Sequence, residues 1–192
     1  MGCAGLLLTG GSSRRLGTDK ATLLVRGERL VDRSSRLLGD VCDMVVEVGP
    51  GYGEGPSVSE TPPGGGPLAA LAAGASVLAA RGYEGAALVL AVDLPSIDAA
   101  VLAWLANHPA PATVVPVVDG MPQTLCARYG RDALGAVPAL LAAGERSLRA
   151  LLAAVLVHEA HVDEWGRVAS AAAFADVDTP ADAARAGIEL PG

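Results

Sequence analysis

The chain has one lysine among its fourteen basic residues, and this Lys20 ends a loop at 9–20 that is rich in glycine, serine and arginine. Gly10 and Gly11 directly follow an apolar run. Paired glycines at such a place let the backbone approach a ligand and turn its N–H groups toward it. Arg15 and Lys20 add positive charge to the same loop. These residues could hold a triphosphate, and the alternative is an ordinary strand-to-helix turn with solvated arginines.

The spacing within this loop differs from that of two common nucleotide-binding motifs. Gly17 is followed by Thr18 rather than by lysine, so the loop is not the GxxxxGK[ST] phosphate loop. The loop also lacks the GxGxxG spacing of dinucleotide-binding sites. A Rossmann oxidoreductase is therefore disfavoured.

Carboxylates are the second set of candidate groups. Asp93 follows the apolar residues 88–92, and a carboxylate at the end of a buried strand needs a metal or hydrogen bonds to offset its burial. It is either a metal ligand or the cap of a turn. Asp176 and Asp178 are two residues apart on a segment predicted to be extended, so both face the same side. That pair is a candidate metal or substrate site.

The histidines offer less chemistry. His158 and His161 are three residues apart on a segment predicted to be extended, so they point to opposite faces and do not chelate a metal. We interpret them as structural or surface residues. His108 follows a predicted helix and is expected to be either a positive charge at its C-terminal end or a solvated residue. No Ser-His-Asp or Cys-His arrangement can be identified, so acyl transfer is unsupported.

Apolar runs and helical spacing predict the elements that must position these groups. Apolar runs predict strands or extended segments, at 3–8, 44–48, 86–92, 113–118, 124–129, 156–162 and 174–178. Helical spacing predicts helices, at 30–38, 67–81, 98–107, 131–143 and 147–155, with a last helix from Thr179-Pro180 to about Arg185. The long loop at 49–66 is rich in glycine and proline, as functional or mobile loops are.

The alternation of strands and helices predicts an α/β fold. We expect a single domain over 1–192, with a Rossmann-like, doubly wound, mainly parallel sheet and helices on both faces. Ligands of such sheets bind outside the carboxyl ends of the strands. The loop at 9–20, Asp93 and the segment at 174–178 follow predicted strands or are themselves extended, so they are the places to expect a site.

Composition limits the partners. Hydrophobic residues make up 51% of the chain and charged residues 18%, which excludes intrinsic disorder. The net charge of −7 argues against a broad grip on nucleic acid. The three cysteines are far apart in the sequence and form no disulfide framework, which suits a reducing compartment. The first residues lack the basic region of a signal peptide. The apolar stretches are too short to cross a membrane. We expect a cytoplasmic protein, either a monomer or a small homo-oligomer.

The loop sequence LTGGSSRRLGTDK matches the pattern LxGGxSxRxGxDK at every signature position. The chain therefore resembles the molybdopterin-guanylyltransferase-like (MobA-like) nucleotidyltransferases. The resemblance implies that the nucleotide lies against the first residues of the loop, namely Leu8, Thr9, Gly10, Gly11 and Ser12. It also implies that Arg15 and Lys20 neutralise the triphosphate, with Lys20 at the reacting α-phosphate.

Other segments extend the resemblance from about residue 5 to about residue 184. The Asp-x-Pro sequence at 93–95 matches a family motif whose aspartate holds Mg²⁺, which implies that Asp93 is the metal ligand, with Asp176 and Asp178 as weaker candidates. The segment GGPLA at 65–69 resembles a family segment beside the base. That likeness implies base contacts for Gly66, Pro67 and Leu68, with Glu60 as the nearest acidic candidate for the base or ribose.

The segment GERSL at 144–148 resembles a family stretch near the second substrate. It implies that Gly144, Arg146 and Ser147 bind the acceptor. The segment DVDTP at 176–180 departs from the family pattern, which often has asparagine at both aspartate positions. This departure leaves the exact nucleotide and acceptor open.

The resemblance implies an Mg²⁺-dependent transfer of GMP from GTP to molybdopterin (the molybdenum cofactor), with release of pyrophosphate. The expected partners are these small molecules, with neither nucleic acid nor membrane. Two alternatives stay open. One is a sister nucleotidyltransferase that uses CTP or another phosphate-bearing acceptor. The other is a non-catalytic nucleotide-binding module on the same fold.

Overall fold

The computed structural model describes residues 2–10 and 16–190. Three residues with predicted roles, Gly11, Ser12 and Arg15, lie outside the described residues. The strands are β1 Ala4–Leu8, β2 Leu24–Val25, β3 Glu28–Arg29, β4 Met44–Val48, β5 Ser57–Val58, β6 Ala87–Ala91, β7 Thr113–Val118, β8 Met121–Pro122, β9 Cys126–Tyr129, β10 Val157–Ala160 and β11 Ile188–Glu189. The helices are α1 Leu30–Gly39, α2 Pro67–Ala80, α3 Ala99–Ala106, α4 Arg131–Ala142, α5 Leu148–Ala154, α6 Val162–Trp165 and α7 Pro180–Arg185.

The main sheet has the strand order β10-β7-β9-β6-β1-β4-β5, and β8 pairs with β7 at one side. Neighbouring strands run parallel except where β9 meets β6 and β7 and where β8 meets β7. In the centre, Leu8 lies opposite Val48 on one side and Ala91 on the other. This register brings the carboxyl ends of β1, β4 and β6 to one edge of the sheet.

Helices cover both faces of the sheet because the side chains of its strands alternate between two cores. In β1, Leu7 belongs to the core beneath α1, α3 and α6, whereas Leu6 and Leu8 belong to the core beneath α2, α4 and α5. Both cores consist mainly of leucine, valine and alanine. The predicted α/β fold with a mainly parallel sheet and two helical layers is confirmed.

Two regions differ from the prediction. A small second sheet, β11-β2-β3, was not predicted, because strands of two residues leave no periodic pattern. The segment predicted to be extended at 174–178 forms no strand, and Phe174 ends a 3₁₀ turn that starts at Ala171. The backbone N–H of Val177 instead donates to the carbonyl oxygen of Asp93 at 3.0 Å. Across the described part of the chain, no helix is long and apolar enough to cross a membrane.

Candidate active site

A cavity of about 660 Å³ opens at the carboxyl ends of β1 and β6. Its volume is within the range of small-molecule sites in proteins. Most of the predicted nucleotide-binding residues that the structure describes line this cavity, namely Leu8, Thr9, Gly10, Lys20, Glu60, Gly66, Pro67 and Asp93. Leu68 does not line it, because its side chain is fully buried in the core beneath α2. Its side chain therefore cannot contact a ligand in this cavity.

Lys20 lies between two carboxylates at this edge. Its Nζ is 2.8 Å from Oδ2 of Asp93 and 2.5 Å from Oδ1 of Asp178. Asp93 directly follows β6, whereas Asp178 comes from the C-terminal segment that is docked on the end of β6 through Val177. The fold thus brings together residues that are 73 and 158 positions from Lys20 in the sequence. We call Lys20, Asp93 and Asp178 the nucleotide cluster.

The charges of this cluster are unequal. Burial alone would lower the pKa of Lys20, but the carboxylates of Asp178 and Asp93 outweigh it and raise that pKa. Burial and the charges of Asp178 and Asp93 raise the pKa of Asp176. Among the described residues, one ammonium group therefore contacts two carboxylates, and the carboxyl group of Asp176 interacts with all three groups electrostatically. This oxygen-rich, negatively charged set is chemically suited to a hard divalent cation such as Mg²⁺.

The position of Asp178 is set by the start of α7. The hydroxyl of Thr179 accepts a hydrogen bond from the N–H of Asp182 at 3.2 Å, and Oδ2 of Asp182 accepts one from the N–H of Thr179 at 2.7 Å. The same Oδ2 accepts the N–H of Asp178 at 3.2 Å. This is a capping box, so Thr179 and Asp182 have a structural role.

Glu60 lines the cavity close to Gly10 and Gly64. Its Oε1 accepts a hydrogen bond from the N–H of Gly64 at 3.1 Å. Its Oε2 lies 3.9 Å from the point where a Cβ atom on Gly10 would stand. The carboxylate of Glu60 is therefore anchored beside Gly10 at the wall of the cavity.

The segments predicted to bind the base and the acceptor touch each other. The backbone N–H of Leu68 donates to the carbonyl oxygen of Arg146 at 3.1 Å. A Cβ atom on Gly66, whose φ is +88°, would lie only 3.0 Å from that oxygen, so this contact needs glycine. The hydroxyl of Ser147 accepts the N–H of Ala150 and caps α5. Gly144, Arg146 and Ser147 are all exposed and do not line the cavity.

One buried carboxylate near the cavity was missed by the sequence reasoning. Glu47 occupies the fourth position of β4 and is only 6% exposed. Its Oε1 accepts the hydroxyl hydrogen of Thr9 at 2.7 Å. A charged residue inside the apolar run MVVEV is the signal that could have found it, because carboxylates are almost never fully buried without a partner.

A large sheet with helices on both faces, and a cavity at the carboxyl ends of its parallel strands, is the architecture of nucleotide-binding α/β proteins. A family model described as the MobA-like NTP transferase domain matches residues 5–163. The chain belongs to this family of nucleotidyltransferases.

Two relatives are similar to the chain over most of their length. It is 37% identical over 161 residues to a probable molybdenum cofactor guanylyltransferase of Opitutus terrae, with 80% of this chain and 79% of the relative covered. It is 38% identical over 158 residues to a protein of the same description from Mycobacterium tuberculosis, with 78% of each chain covered.

Two solved structures share the fold. One is the molybdopterin-guanine dinucleotide biosynthesis protein A of Archaeoglobus fulgidus, with a TM-score of 0.79, 22% identity and 96% of each chain covered. The other is the 2-C-methyl-D-erythritol 4-phosphate cytidylyltransferase of Thermus thermophilus, with a TM-score of 0.67 and 17% identity. That likeness covers 97% of this chain and 98% of the other.

Proposed function

We propose that the chain is an Mg²⁺-dependent guanylyltransferase that transfers GMP from GTP to the phosphate of molybdopterin and releases pyrophosphate. The observation that carries this proposal is the nucleotide cluster, with Lys20 held between Asp93 and Asp178 at the wall of the cavity. The names of the relatives that are 37% and 38% identical support the choice of nucleotide and acceptor.

The reaction needs no strong general base. The acceptor phosphate is already an anion at neutral pH, and its oxygen forms a bond to the α-phosphorus of GTP. The bond from that phosphorus to the oxygen bridging to the β-phosphate breaks, and pyrophosphate leaves with the electron pair. Catalysis is then a matter of alignment and of neutralising negative charge. Lys20 lines the cavity, and its ammonium group is suited to the second task.

Asp93, with Asp176 and Asp178, would hold the Mg²⁺ ion. When bound there, the ion supplies positive charge to the phosphate oxygens. Lys20, which donates hydrogen bonds to Asp93 and Asp178, supplies a further positive charge. Arg15 has the same role in this proposal, on the strength of the sequence pattern, and it lies outside the described residues.

Glu60 is the residue that we assign to the choice of nucleotide. Guanine presents N–H donors on its Watson–Crick edge, and a carboxylate accepts hydrogen bonds at both oxygens. Glu60 is fixed by Gly64 and faces Gly10, so its carboxylate can read such donors. Glu60→Gln would offer one acceptor and a competing donor, and should reduce the preference for GTP over ATP.

The acceptor would bind beside the nucleotide at the segment 144–147. This segment contacts the GPL segment through the hydrogen bond between Leu68 and Arg146. Arg146 is exposed, so its guanidinium group is available to a phosphate of the acceptor. The single domain, the cytoplasmic location and the oligomeric state stay predictions.

The test is pyrophosphate release with Mg²⁺ and molybdopterin, measured side by side for GTP, CTP and ATP. We expect release with GTP alone, and only when the acceptor is present. Release with CTP instead would make the protein a cytidylyltransferase, which the aspartates at 176 and 178 would then help to explain. Binding of Mg²⁺–GTP without any release would indicate a nucleotide-binding module or another acceptor.

A further inference from the structure

Glu47 is buried and does not line the cavity. Its carboxylate accepts four hydrogen bonds from neighbouring residues. Its Oε1 accepts the hydroxyl of Thr9 and the backbone N–H groups of Gly51 and Tyr52, at 2.7, 3.1 and 2.9 Å. Its Oε2 accepts the N–H of Gly53 at 2.9 Å. The carboxylate therefore ties the loop that follows β4 to the first residue after β1.

The loop that follows β4 is in close contact with Thr9 and Gly10, the first residues after β1. The N–H of Thr9 donates to the carbonyl oxygen of Val48 at 3.0 Å. A Cβ atom on Gly49 would lie 2.1 Å from Oγ1 of Thr9 and 3.0 Å from the backbone nitrogen of Gly10. The first distance is below any real contact, so glycine is required at 49 for the loop after β4 to support Thr9 and Gly10.

The same loop also reaches the far end of the segment at 9–20. The hydroxyl of Tyr52 donates to the carboxylate of Asp19. Asp19 precedes Lys20 and caps its 3₁₀ turn by accepting the N–H of Ala21 at 3.2 Å. Burial and the Asp19 carboxylate raise the pKa of Tyr52 to about 12, so its hydroxyl keeps the proton that it donates.

We propose that Glu47 is a positioning residue for nucleotide binding, because it fixes both ends of the loop at 9–20. It holds Thr9 directly, and it holds Asp19 and Lys20 through Tyr52. This inference rests on the proposed function, since the loop it positions is the one assigned to the nucleotide.

The arrangement keeps a negative charge close to the cavity without exposing it. Burial alone would raise the pKa of Glu47, but the donors on Tyr52, Gly53, Thr9 and Gly51 outweigh it and lower that pKa. The carboxylate is thus ionised at neutral pH. The hydroxyl hydrogen of Thr9 is donated to Glu47 and its backbone N–H to Val48, so neither donor is available to a nucleotide.

Glu47→Gln tests the proposal. A glutamine has one acceptor oxygen and an NH₂ group, and that NH₂ group must face an N–H or O–H donor on one side. We expect the KM for GTP, and the Kd for Mg²⁺–GTP, to rise between about tenfold and a hundredfold, as a displacement of about 1 Å can produce, with a smaller change in kcat. A KM and Kd within twofold of wild type would overturn the proposal.

Asp98→Asn is the matched control. Asp98 also accepts two backbone N–H groups, from Ala100 at 3.0 Å and Val101 at 3.2 Å, and it caps α3 without lining the cavity. Its replacement should lower Tm and leave the KM for GTP unchanged. If both variants raised KM equally, the effect would reflect general loss of stability and the proposal would be wrong.

A second pair of variants tests the positioning role of Glu47 if Glu47→Gln does not fold. Thr9→Val removes only the hydroxyl that Glu47 accepts, and Thr9→Ser keeps it. The proposal predicts a raised Kd for the valine variant and a near wild-type Kd for the serine variant. Equal Kd values would overturn it. Turnover by the wild-type protein tests the proposed function separately, since these ratios need only nucleotide binding.

Discussion

Two clusters of titratable side chains in this molecule look alike and differ in what they can do. In the nucleotide cluster, Lys20 lies between Asp93 and Asp178 at the wall of the cavity. In the second, which we call the edge cluster, Glu164 lies between His158 and His108 at the side of the edge strand β10. Its Oε2 is 2.8 Å from Nε2 of His158 and 3.4 Å from Nε2 of His108.

The edge cluster has the residue types of a metal site, but its hydrogen bonds are already satisfied by the protein. Nδ1 of His108 accepts the backbone N–H of Ala110 at 3.2 Å. The neutral ring must then carry its proton on Nε2, where it donates to Glu164 and leaves no lone pair for a metal. His108 is also packed against Trp104 and His158, with ring centroids 5.2 and 4.7 Å away.

The nucleotide cluster differs, because among the described residues two carboxylates share the ammonium group of Lys20. Burial and the charges of Asp178 and Asp93 also raise the pKa of the neighbouring Asp176. A bound divalent cation, as proposed, would add positive charge to this acidic group. The comparison teaches that residue types alone do not define a site. The decisive observation is whether the protein has already satisfied their charges and hydrogen bonds.

Lys20→Ala should give the largest effect. Removing the one ammonium group of the nucleotide cluster should keep the fold and lower turnover by about 10²–10³, as the loss of a preorganised donor typically does. Pyrophosphate release measures it. Arg131→Ala is the control, because it removes an exposed cation paired with Glu84 far from the cavity. Near wild-type turnover by Lys20→Ala would remove Lys20 from the proposed machinery.

Asp93→Asn should abolish the Mg²⁺ dependence of nucleotide binding, because it removes the carboxylate directly at the end of β6. Asp178→Asn should have a smaller effect, since that side chain is half exposed. Calorimetry with GTP, with and without Mg²⁺, measures both variants. If Asp93→Asn left the affinity for Mg²⁺–GTP unchanged, Asp93 would be only the cap of a turn.

Glu164→Gln should affect stability and leave catalysis alone. The variant weakens the hydrogen bonds to His158 and His108, which at this partly exposed position should cost about 1 kcal/mol, or about 2–4 °C in Tm for a domain of this size. Thermal unfolding measures the loss, and pyrophosphate release should not change. A fall in turnover comparable to that of Lys20→Ala would erase the distinction between the two clusters.

The smallest predicted effect is on the pH dependence of stability. Burial lowers the pKa of His108, and the Glu164 carboxylate offsets only part of this shift. Below the unfolded pKa of about 6.5, the unfolded chain binds a proton that the folded chain does not, so stability falls as pH falls from there toward the lowered folded pKa. His108→Gln should flatten this decline in denaturant titrations, whereas the exposed His161→Gln should keep it. Identical slopes in both variants would show that His108 is not the group responsible.

The fold could be predicted because its main strands and helices are long and strongly patterned. Strands such as β6 are continuous apolar runs, and Pro67 at the first turn of α2 marks a helix start. The second sheet could not be predicted, because β2, β3 and β11 each have two residues and β11 pairs with β2 from the other end of the chain.

Candidate site residues could be proposed where a motif lies in one continuous segment, as in the loop at 9–20, and the described residues Thr9, Gly10 and Lys20 of that loop line the cavity. Contacts between segments that are distant in the sequence could not be predicted, and the hydrogen bond from Lys20 to Asp178 is the clearest case. The expectation that His108 is solvated was wrong. Its side chain is 8% exposed, because it packs against Glu164 of α6 and His158 of β10. His158 has the structural role that the sequence allowed. No local pattern reveals such burial, since it is decided by which elements pack together.

The most direct test of the proposed guanylyltransferase activity is identification by mass spectrometry of the product made from GTP, molybdopterin and Mg²⁺. We expect a product with the mass of the acceptor plus one GMP unit, formed with one pyrophosphate by the wild-type protein and strongly reduced in Lys20→Ala. A product formed from CTP and not from GTP, or equal product from both proteins, would contradict it.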